Sequence, residues 1–327
     1  MSDFELYKNS MQTARRELIE DLSQRDFIVF AGAGISEPTG IPLWKGLLKA
    51  LEKEQPLAGV EIDKVEEYQC PNIAQMLYLE FDKKNKIPDY HKIIQDKMQS
   101  TKLPHTPLQE EIILASNGKI ATTNYDNTFE SAFQKLKRRQ LIQSDYTFQT
   151  LSNLNCEKSR LKNNITYLHG KFDETEIIFK TADYEKYYPS HSNRQKSSLE
   201  KFLKYIYLES GLAIIFVGFS FEDPYVIKTL ERNYAEIKMN NPKILENVKH
   251  YALLESKVEE NDINLSEPKK MLLEKMAKEN KRLNEINITV FRYEYAQHKQ
   301  LDDLFEGISQ KLDTFKALTK PEDHVAS

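Results

Sequence analysis

Polar side chains that could carry out chemistry follow two short apolar segments of the sequence. Asn124 and Asp126 come directly after residues 119–123, and His169 comes directly after residues 164–168. Because the carboxyl ends of parallel strands meet at one edge of an open α/β sheet, we expect these side chains to share one crevice. An amide can orient a water molecule or a sugar hydroxyl, and an imidazole can accept a proton from either. The pattern therefore indicates Asn124 and His169 as a candidate catalytic pair.

A structural interpretation of the same residues stays open. Apolar residues at helical spacing begin at Phe129, so Asp126 stands at the start of a predicted helix. Asn and Asp are favoured there because their side chains accept hydrogen bonds from free backbone N–H groups. One capping residue suffices, whereas the sequence supplies Asn124, Asp126 and Asn127. A histidine at the end of a strand, such as His169, can equally be a packing residue.

A glycine-rich turn follows the first strongly apolar segment. Residues 27–31 are apolar without interruption, which predicts a buried parallel strand, and Gly32 and Gly34 come next. Without Cβ atoms, these glycines would let backbone N–H groups lie close against a pyrophosphate. The other interpretation is an ordinary strand–turn–helix connection, since apolar residues at helical spacing predict a helix over residues 42–53.

Two familiar classes of nucleotide-binding protein are not supported. The dinucleotide fingerprint requires a third glycine three residues after Gly34, and Glu37 stands at that position. The GxxxxGK[ST] motif of P-loop NTPases does not occur in the sequence. The turn therefore indicates neither an ordinary dehydrogenase nor a P-loop enzyme.

Four short motifs in order resemble those of the sirtuins, the silent information regulator family. GAGIS at residues 32–36, followed by GIP at 40–42, resembles the opening motif. TTNYD at 122–126 resembles the TQNID motif, in the form typical of the bacterial NAD-consuming branch. Leu-His-Gly at 168–170 resembles the HG motif, and Gly-Phe-Ser at 218–220 resembles the GxS segment that contacts the NAD ribose. One such motif is weak evidence, but four in order are specific.

The resemblance covers about residues 20–295 and implies a doubly wound, mostly parallel, Rossmann-like α/β sheet that binds NAD. In the family, the Asn and Asp of the second motif hold the nicotinamide end of NAD, and the histidine of the third is catalytic. The resemblance therefore implies that Asn124 and His169 are the catalytic residues. The NAD-binding residues that it implies are Ala31, Gly32, Ala33, Gly34, Ser36, Thr123, Asp126, Gly218, Ser220 and Glu255.

Two features separate this sequence from the deacylating sirtuins. Those enzymes continue with Asp-Phe-Arg after GIP, whereas residues 43–45 here are Leu-Trp-Lys. They also carry two CxxC pairs that bind zinc, and the two cysteines of this chain, Cys70 and Cys156, cannot form a four-cysteine site. The resemblance therefore implies hydrolysis of NAD to ADP-ribose and nicotinamide, without zinc. A protein deacylase and a catalytically silent nucleotide-binding subunit are the alternatives.

The resemblance also implies an assembly and a biological role. Members of this bacterial branch are effectors of anti-phage systems, in which they exhaust the NAD of the infected cell. They pair with a HerA-type ATPase or an Argonaute. The resemblance thus implies a homo-oligomer that is activated by a protein partner in trans.

Composition limits the other possibilities. Charged residues make up 29% of the 327 residues, and no apolar window reaches the ~18 residues of a membrane span, so we expect no membrane segment. The N-terminus lacks the basic and apolar regions of a signal peptide, which predicts a cytoplasmic protein. The net charge of −4 and the shortness of the basic run at residues 135–139 give no reason to expect direct nucleic-acid binding.

The element pattern predicts where the chain divides. A helical subdomain is expected over about residues 56–116, inserted between the first two strands of a domain that spans residues 1–295. Residues 296–327 are expected to form a C-terminal helix and a frayed tail. A short β segment is expected near residues 177–179. The strands of the sheet are predicted at residues 27–31, 119–123, 164–168, 212–217, 250–254 and 287–293.

Overall fold

The computed structural model describes residues 18–99, 102–157, 160–174, 176–189, 196–256, 267–293 and 299–318. Seven strands in this part of the chain form one sheet in which every neighbouring pair is parallel. They are β1 (Phe27–Ala31), β2 (Lys119–Thr122), β3 (Thr147–Gln149), β4 (Asn164–Tyr167), β5 (Ala213–Val217), β6 (His250–Glu255) and β7 (Ile288–Tyr293).

The strand order across the sheet is β3-β4-β2-β1-β5-β6-β7. The chain therefore places β2, β3 and β4 on one side of β1, and it then places β5, β6 and β7 on the other side. The reversal lies between β1 and β5, which are direct neighbours. This order confirms the predicted doubly wound α/β fold, and it places the expected ligand crevice at the carboxyl ends of these two strands.

Helices cover both faces of the sheet, and residues 18–24 are also helical. The α-helices that follow are α1 (Trp44–Glu54), α2 (Cys70–Lys83), α3 (Ile87–Lys97), α4 (Pro107–Ala115), α5 (Thr128–Arg138), α6 (Thr181–Tyr187), α7 (Ser198–Lys204), α8 (Pro224–Asn240), α9 (Glu267–Asn284) and α10 (Lys299–Leu318). A π-helical turn spans Tyr205–Glu209, and 3-10 turns span Ala33–Ile35, Glu37–Thr39, Ile62–Lys64, Glu67–Gln69 and Pro242–Glu246. Within the described residues, no helix is long and apolar enough to cross a membrane.

β1 has no exposed residue, which explains why its sequence is apolar throughout. Ile28 and Phe30 point into the hydrophobic cluster on one face of the sheet. Phe27, Val29 and Ala31 point into the cluster on the other face. Successive side chains of a strand alternate between faces, so a strand covered on both sides needs apolar residues at every position.

The segment between β1 and β2 is helical, as predicted. Helices α1, α2 and α3 pack around a third hydrophobic cluster, which includes Leu48, Leu77 and Ile94. Helix α4 instead contributes Leu108 and Ile112 to a cluster of the sheet. The segment thus has a core of its own, and its last helix belongs to the sheet.

The structure differs from the sequence-based prediction in three details. β3 was not predicted, because it has only three residues, of which Thr147 and Phe148 are exposed at the edge of the sheet. Residues 177–179 form no strand, although Ile178 N–H donates a hydrogen bond to His169 O (2.8 Å). β2 ends at Thr122, one residue earlier than predicted, so Thr123 belongs to the loop that follows it. The predicted frayed tail lies outside the described residues.

The loops after β1 and β5 touch through their backbones. Gly32 N–H donates to Val217 O (2.9 Å), and Gly34 N–H donates to Gly218 O (3.0 Å). A Cβ atom on Gly32 would lie only 2.4 Å from Gly218 O. Gly218 itself has φ +64°, a left-handed conformation that glycine adopts without strain. The glycines therefore let two loops pack closer than residues with side chains would allow.

We predict that Gly32→Ala destabilises the fold by about 3 kcal/mol, because its Cβ would force the two loops apart. Its φ of −108° suits any residue, so the cost would be steric. Gly211→Ala is the matched control, since Gly211 has φ +70° but open space around its Cβ, and we expect it to cost about 1–2 kcal/mol. Urea unfolding of both variants measures the difference. An equal or smaller loss for Gly32→Ala would contradict this account of the loop contact.

Candidate active site

A cavity of about 500 Å³ opens at the carboxyl edge of the sheet. Its wall includes every site residue predicted from the sequence except Ala31 and Gly32. These two are buried behind the wall, where their carbonyl groups hold other site residues in place. Ala31 O accepts hydrogen bonds from Thr123 N–H (3.2 Å) and Thr122 Oγ1 (3.0 Å).

Asn124 follows β2 and is bound to the glycine loop through its amide group. Nδ2 donates to Gly32 O (3.1 Å) and to Ser36 Oγ (3.1 Å). Because a carbonyl oxygen can only accept, these contacts fix which end of the amide faces the loop. The other end, Oδ1, is buried and has no hydrogen-bond partner among the described residues. An unpaired buried acceptor costs ~1–3 kcal/mol, so a hydroxyl of a ligand or water is the group that fits it.

Asp126 is the residue whose side chain caps the helix after β2. The sequence alone did not decide between Asp126 and Asn124 for this role. Asp126 Oδ1 accepts from Thr128 N–H (3.0 Å) and from Thr128 Oγ1 (2.5 Å) at the start of α5. Asn127, the residue at the N-cap position, makes no side-chain capping bond. Burial raises the pKa of Asp126 above its usual value. Asn124 is therefore available for a role other than capping.

His169 follows β4 and is almost fully buried at the cavity wall. Its Nε2 lies 2.9 Å from the hydroxyl of Tyr188. Burial lowers the pKa of His169 to about 3, so the imidazole is neutral at physiological pH. Gly170 makes the turn after it with φ +82°, and a Cβ there would lie 2.3 Å from Glu176 O. The neutral ring is the form that can accept a proton.

Comparison with known proteins places the chain in a family. The profile of the SIR2-like domain family matches residues 118–290, which is more than half of the chain. The chain belongs to the SIR2-like family. The match includes β2, β4, β5 and β6 and confirms the family that the four motifs indicated.

Several curated proteins resemble this SIR2-like chain. It is 26% identical over 239 residues to the NAD(+) hydrolase ThsA of Acinetobacter baumannii, covering 72% of this chain and 45% of that protein. It is 25% identical over 236 residues to the NAD(+) hydrolase ThsA of Bacillus cereus, covering 66% and 42% respectively. It is 23% identical over 228 residues to Defense-associated sirtuin 2 of Bacillus subtilis, covering 67% and 20%. The chain thus spans less than half the length of these relatives.

The SIR2-like site contains an aromatic cluster that the motifs did not reveal. Tyr184 stacks on Tyr225 with ring centroids 4.3 Å apart, and it contacts the edge of His169 at 5.5 Å. Its hydroxyl donates to Asp223 Oδ2 (3.0 Å). Tyr184 and Asp223 both line the cavity. Asp223 also caps α8, since its Oδ1 accepts hydrogen bonds from two N–H groups of that helix.

Trp44 is a further cavity residue that sequence reasoning assigned only to a helix face. Its ring lies 6.2 Å from Phe179 and 6.2 Å from Tyr184, measured between centroids. Its Nε1 is buried and has no hydrogen-bond partner among the described residues. A tryptophan at the first position of a helix, two residues after the GIP motif, was the available signal. Trp44 and Asn124, the two residues that carry these unpaired atoms, line the same cavity.

The cavity extends to the ends of β6 and β7. Arg292 is buried there, and its Nη2 lies 2.6 Å from Glu279 Oε2. Its Nη1 donates to Glu255 O (3.2 Å), which ties the last residue of β6 to β7. Arg292 was missed because the strand pattern around it is apolar. Four strand spacings of ~4.8 Å separate β4 from β6, so the wall is long enough for a dinucleotide.

The charged side chains of the wall are mostly acidic. Among the described lining residues Arg292 is the single basic one, and the acidic residues are Glu37, Glu67, Asp126, Asp223, Glu255, Glu279 and Asp302. A pyrophosphate would therefore depend on backbone N–H groups. The N–H groups of Gly32 and Gly34, expected to face it, are instead bonded to the loop after β5. Ala33, exposed between them on the wall, offers the N–H at the first position of a 3-10 turn, which has no partner inside that turn.

Ser220 connects the sheet to the helical segment. It is exposed at the cavity, and its Oγ donates to Glu67 Oε2 (3.2 Å). Glu67 lies in the turn before α2 and is also part of the wall. No group of three or more His, Cys, Asp or Glu side chains in the described part of the chain is arranged to hold a metal ion.

The burial of His169 predicts a pH effect on stability. Its pKa is lowered from 6.5 to about 3, so between these values the unfolded chain binds a proton that the folded chain does not. The stabilising effect is present above pH ~6.5 and is lost as the pH falls towards 3. His169→Gln removes this proton. We therefore expect the wild type to lose ~1.4 kcal/mol per pH unit relative to His169→Gln below about pH 6.

Urea unfolding of the two proteins at matched pH values measures that difference. Comparing them cancels the opposite contributions of Asp126 and Asp223, whose pKa values burial raises. A difference in unfolding free energy that stays constant from about pH 6 to 4 would show that His169 is not held neutral by the fold.

Proposed function

We propose that the protein hydrolyses the bond between nicotinamide and ribose in NAD, giving ADP-ribose and nicotinamide. The observation that carries this proposal is that Asn124, whose Oδ1 has no hydrogen-bond partner among the described residues, and the neutral His169 line the same cavity. Asn124 can accept a hydrogen bond from a ribose hydroxyl or a water molecule, and His169 can accept a proton. Both are needed to direct water at an anomeric carbon.

The sheet supports the pairing of these two residues. Thr122 at the end of β2 stands opposite Tyr167 at the end of β4, and neighbouring strands lie ~4.8 Å apart. Asn124 lies two residues after Thr122, and His169 lies two residues after Tyr167. Leu168 N–H donates a hydrogen bond to Thr122 O (2.8 Å), which fixes the register of the two strand ends. The two side chains thus come from equivalent positions on adjacent strands.

The chemistry requires little beyond such a pair. The nicotinamide ring of NAD is cationic and leaves as a neutral molecule, so no general acid is needed. Water forms a bond to C1′ of the ribose, and the electron pair of the C1′–N bond passes to the nicotinamide nitrogen. The proton that the water loses goes to His169 and then to solvent. The buried carboxyl groups of Asp126 and Asp223, when ionised, favour the positive charge that develops on the ribose.

The comparisons support the same reaction. Two relatives are named NAD(+) hydrolases, and a third is named a defense-associated sirtuin. We therefore propose that NAD is the substrate and that the protein is an effector of a bacterial anti-phage system. The deacylase and the silent nucleotide-binding subunit are tested by the same experiment.

We expect Asn124→Ala and His169→Ala each to lower the turnover of NAD by ~10²–10⁴, because each removes one half of the water-directing pair. The double variant should be little worse than the worse single one, since the two act as a unit. Asn127→Ala is the matched control, because Asn127 lies in the same turn, makes no side-chain capping bond and does not line the cavity. Nicotinamide release and the thermal midpoint are measured on the same samples.

The products decide between the candidate functions. Nicotinamide and ADP-ribose formed without an acylated peptide support NAD hydrolysis. O-acyl-ADP-ribose formed only with the peptide would replace it by deacylation, and binding of NAD without products would indicate a silent subunit. A lowered thermal midpoint with normal turnover per folded molecule in both variants would remove Asn124 and His169 from the catalytic role.

We further propose that the protein works in the cytoplasm as a homo-oligomer, activated in trans by a HerA-type ATPase or an Argonaute. The family resemblance supports this part. We expect light scattering of the purified chain to give a mass above one subunit, and the partner to raise NAD hydrolysis. A monodisperse monomer that hydrolyses NAD at a rate unaffected by either partner would refute it.

A further inference from the structure

The hydroxyl of Tyr188 contacts His169 but does not belong to the cavity wall. It is 2.9 Å from His169 Nε2, and the two residues are 4% and 3% exposed. His169 is part of the cavity wall and Tyr188 is not. Nε2 is therefore occupied by the protein, and Nδ1 is the ring nitrogen left for a ligand in the cavity.

A neutral imidazole has one N–H donor and one acceptor nitrogen. If Nε2 carries the hydrogen and donates to Tyr188 Oη, Nδ1 is an acceptor and can take a proton in the cavity. If Tyr188 donates to Nε2 instead, Nδ1 carries the hydrogen and cannot act as a base. The direction of this one hydrogen bond decides whether His169 can perform the reaction.

We propose that Tyr188 is a positioning residue that accepts a hydrogen bond from His169 Nε2–H and so keeps Nδ1 free to accept a proton from the ribose hydroxyl or the water. The kinetic part of this inference rests on the proposed function. Its structural part concerns the resting protein alone. Tyr188 keeps its own proton throughout, and the proton that Nδ1 receives returns to solvent.

The surroundings hold the phenol of Tyr188 in place. Its backbone N–H donates to Tyr184 O (2.7 Å), and the rings of the two tyrosines stack with centroids 5.8 Å apart. Tyr184 is fixed in turn by Tyr225 and by Asp223 at the start of α8. The position of the Tyr188 hydroxyl is therefore set by two helices. Burial raises the pKa of Tyr188 well above 10, so the group stays a phenol.

The same contact assists the step in which His169 becomes charged. Burial disfavours the imidazolium form of His169. After Nδ1 accepts a proton, the bond from Nε2–H to the Tyr188 oxygen becomes charge-assisted and stronger. Tyr188 thus offsets part of the cost of charging a buried ring at the moment of the reaction.

Tyr188→Phe tests the inference because it keeps the ring and removes the hydroxyl. We expect kcat for NAD to fall about 10–100-fold with KM little changed, as for other partners that orient a reacting side chain. Tyr187→Phe is the matched control, because it removes the hydroxyl of the neighbouring tyrosine, which donates to Glu176, without touching His169 or lining the cavity. We expect its kcat and KM to equal those of the wild type.

The ¹⁵N chemical shifts of histidine-labelled protein report the tautomer without any turnover. The His169 signals are assigned by their loss in His169→Gln. We expect a protonated Nε2 and an unprotonated Nδ1 in the wild type and in Tyr187→Phe, and a mixture of tautomers in Tyr188→Phe. A wild type with hydrogen on Nδ1, or an unchanged tautomer in Tyr188→Phe, would overturn the inference even if NAD is hydrolysed. The expected tautomers without NAD hydrolysis would support the positioning role and refute the proposed function.

Discussion

The backbone contact between the loops after β1 and β5 is the constraint on which the site depends. The chain reverses direction across the sheet between these strands, so their loops would otherwise diverge. Gly32 and Gly218 let the two backbones approach within hydrogen-bond distance instead. The carbonyl group of Gly32, held by this contact, is also the anchor of the Asn124 amide. A shift of the glycine loop would therefore move the Asn124 amide with it.

The sequence predicted the parts of this arrangement that local chemistry determines. β1 and β5 were found because both faces of each are covered, which requires uninterrupted apolar residues. β3 was missed because an exposed edge strand carries no such pattern. The glycines of the turn were identified, but the groups they approach were not, since a missing Cβ shows that space is needed and does not show what fills it. Tyr184 could not be assigned because its partners, Asp223 and Tyr225, come from a distant segment.

The wall of the cavity contains polar groups that have no hydrogen-bond partner among the described residues. Asn124 Oδ1 and Trp44 Nε1 are buried without partners among the described residues. Burial also shifts the pKa values of His169, Asp126 and Asp223 towards their neutral forms. Each of these features makes the folded state less stable than it would be with apolar side chains at the same positions. Unpaired polar atoms and shifted pKa values that occur together on one cavity wall are features of a site for a polar ligand.

The central position of β1 has a consequence for biosynthesis. Val29 pairs with Ile120, and Phe27 pairs with Ala213, so the partners of the first strand are far away in sequence. Contacts between such distant segments form slowly, and a growing chain cannot make them before both segments have left the ribosome. The crevice between β1 and β5 therefore does not exist in a nascent chain that ends before β5. The crevice is therefore complete only after most of the chain has been translated.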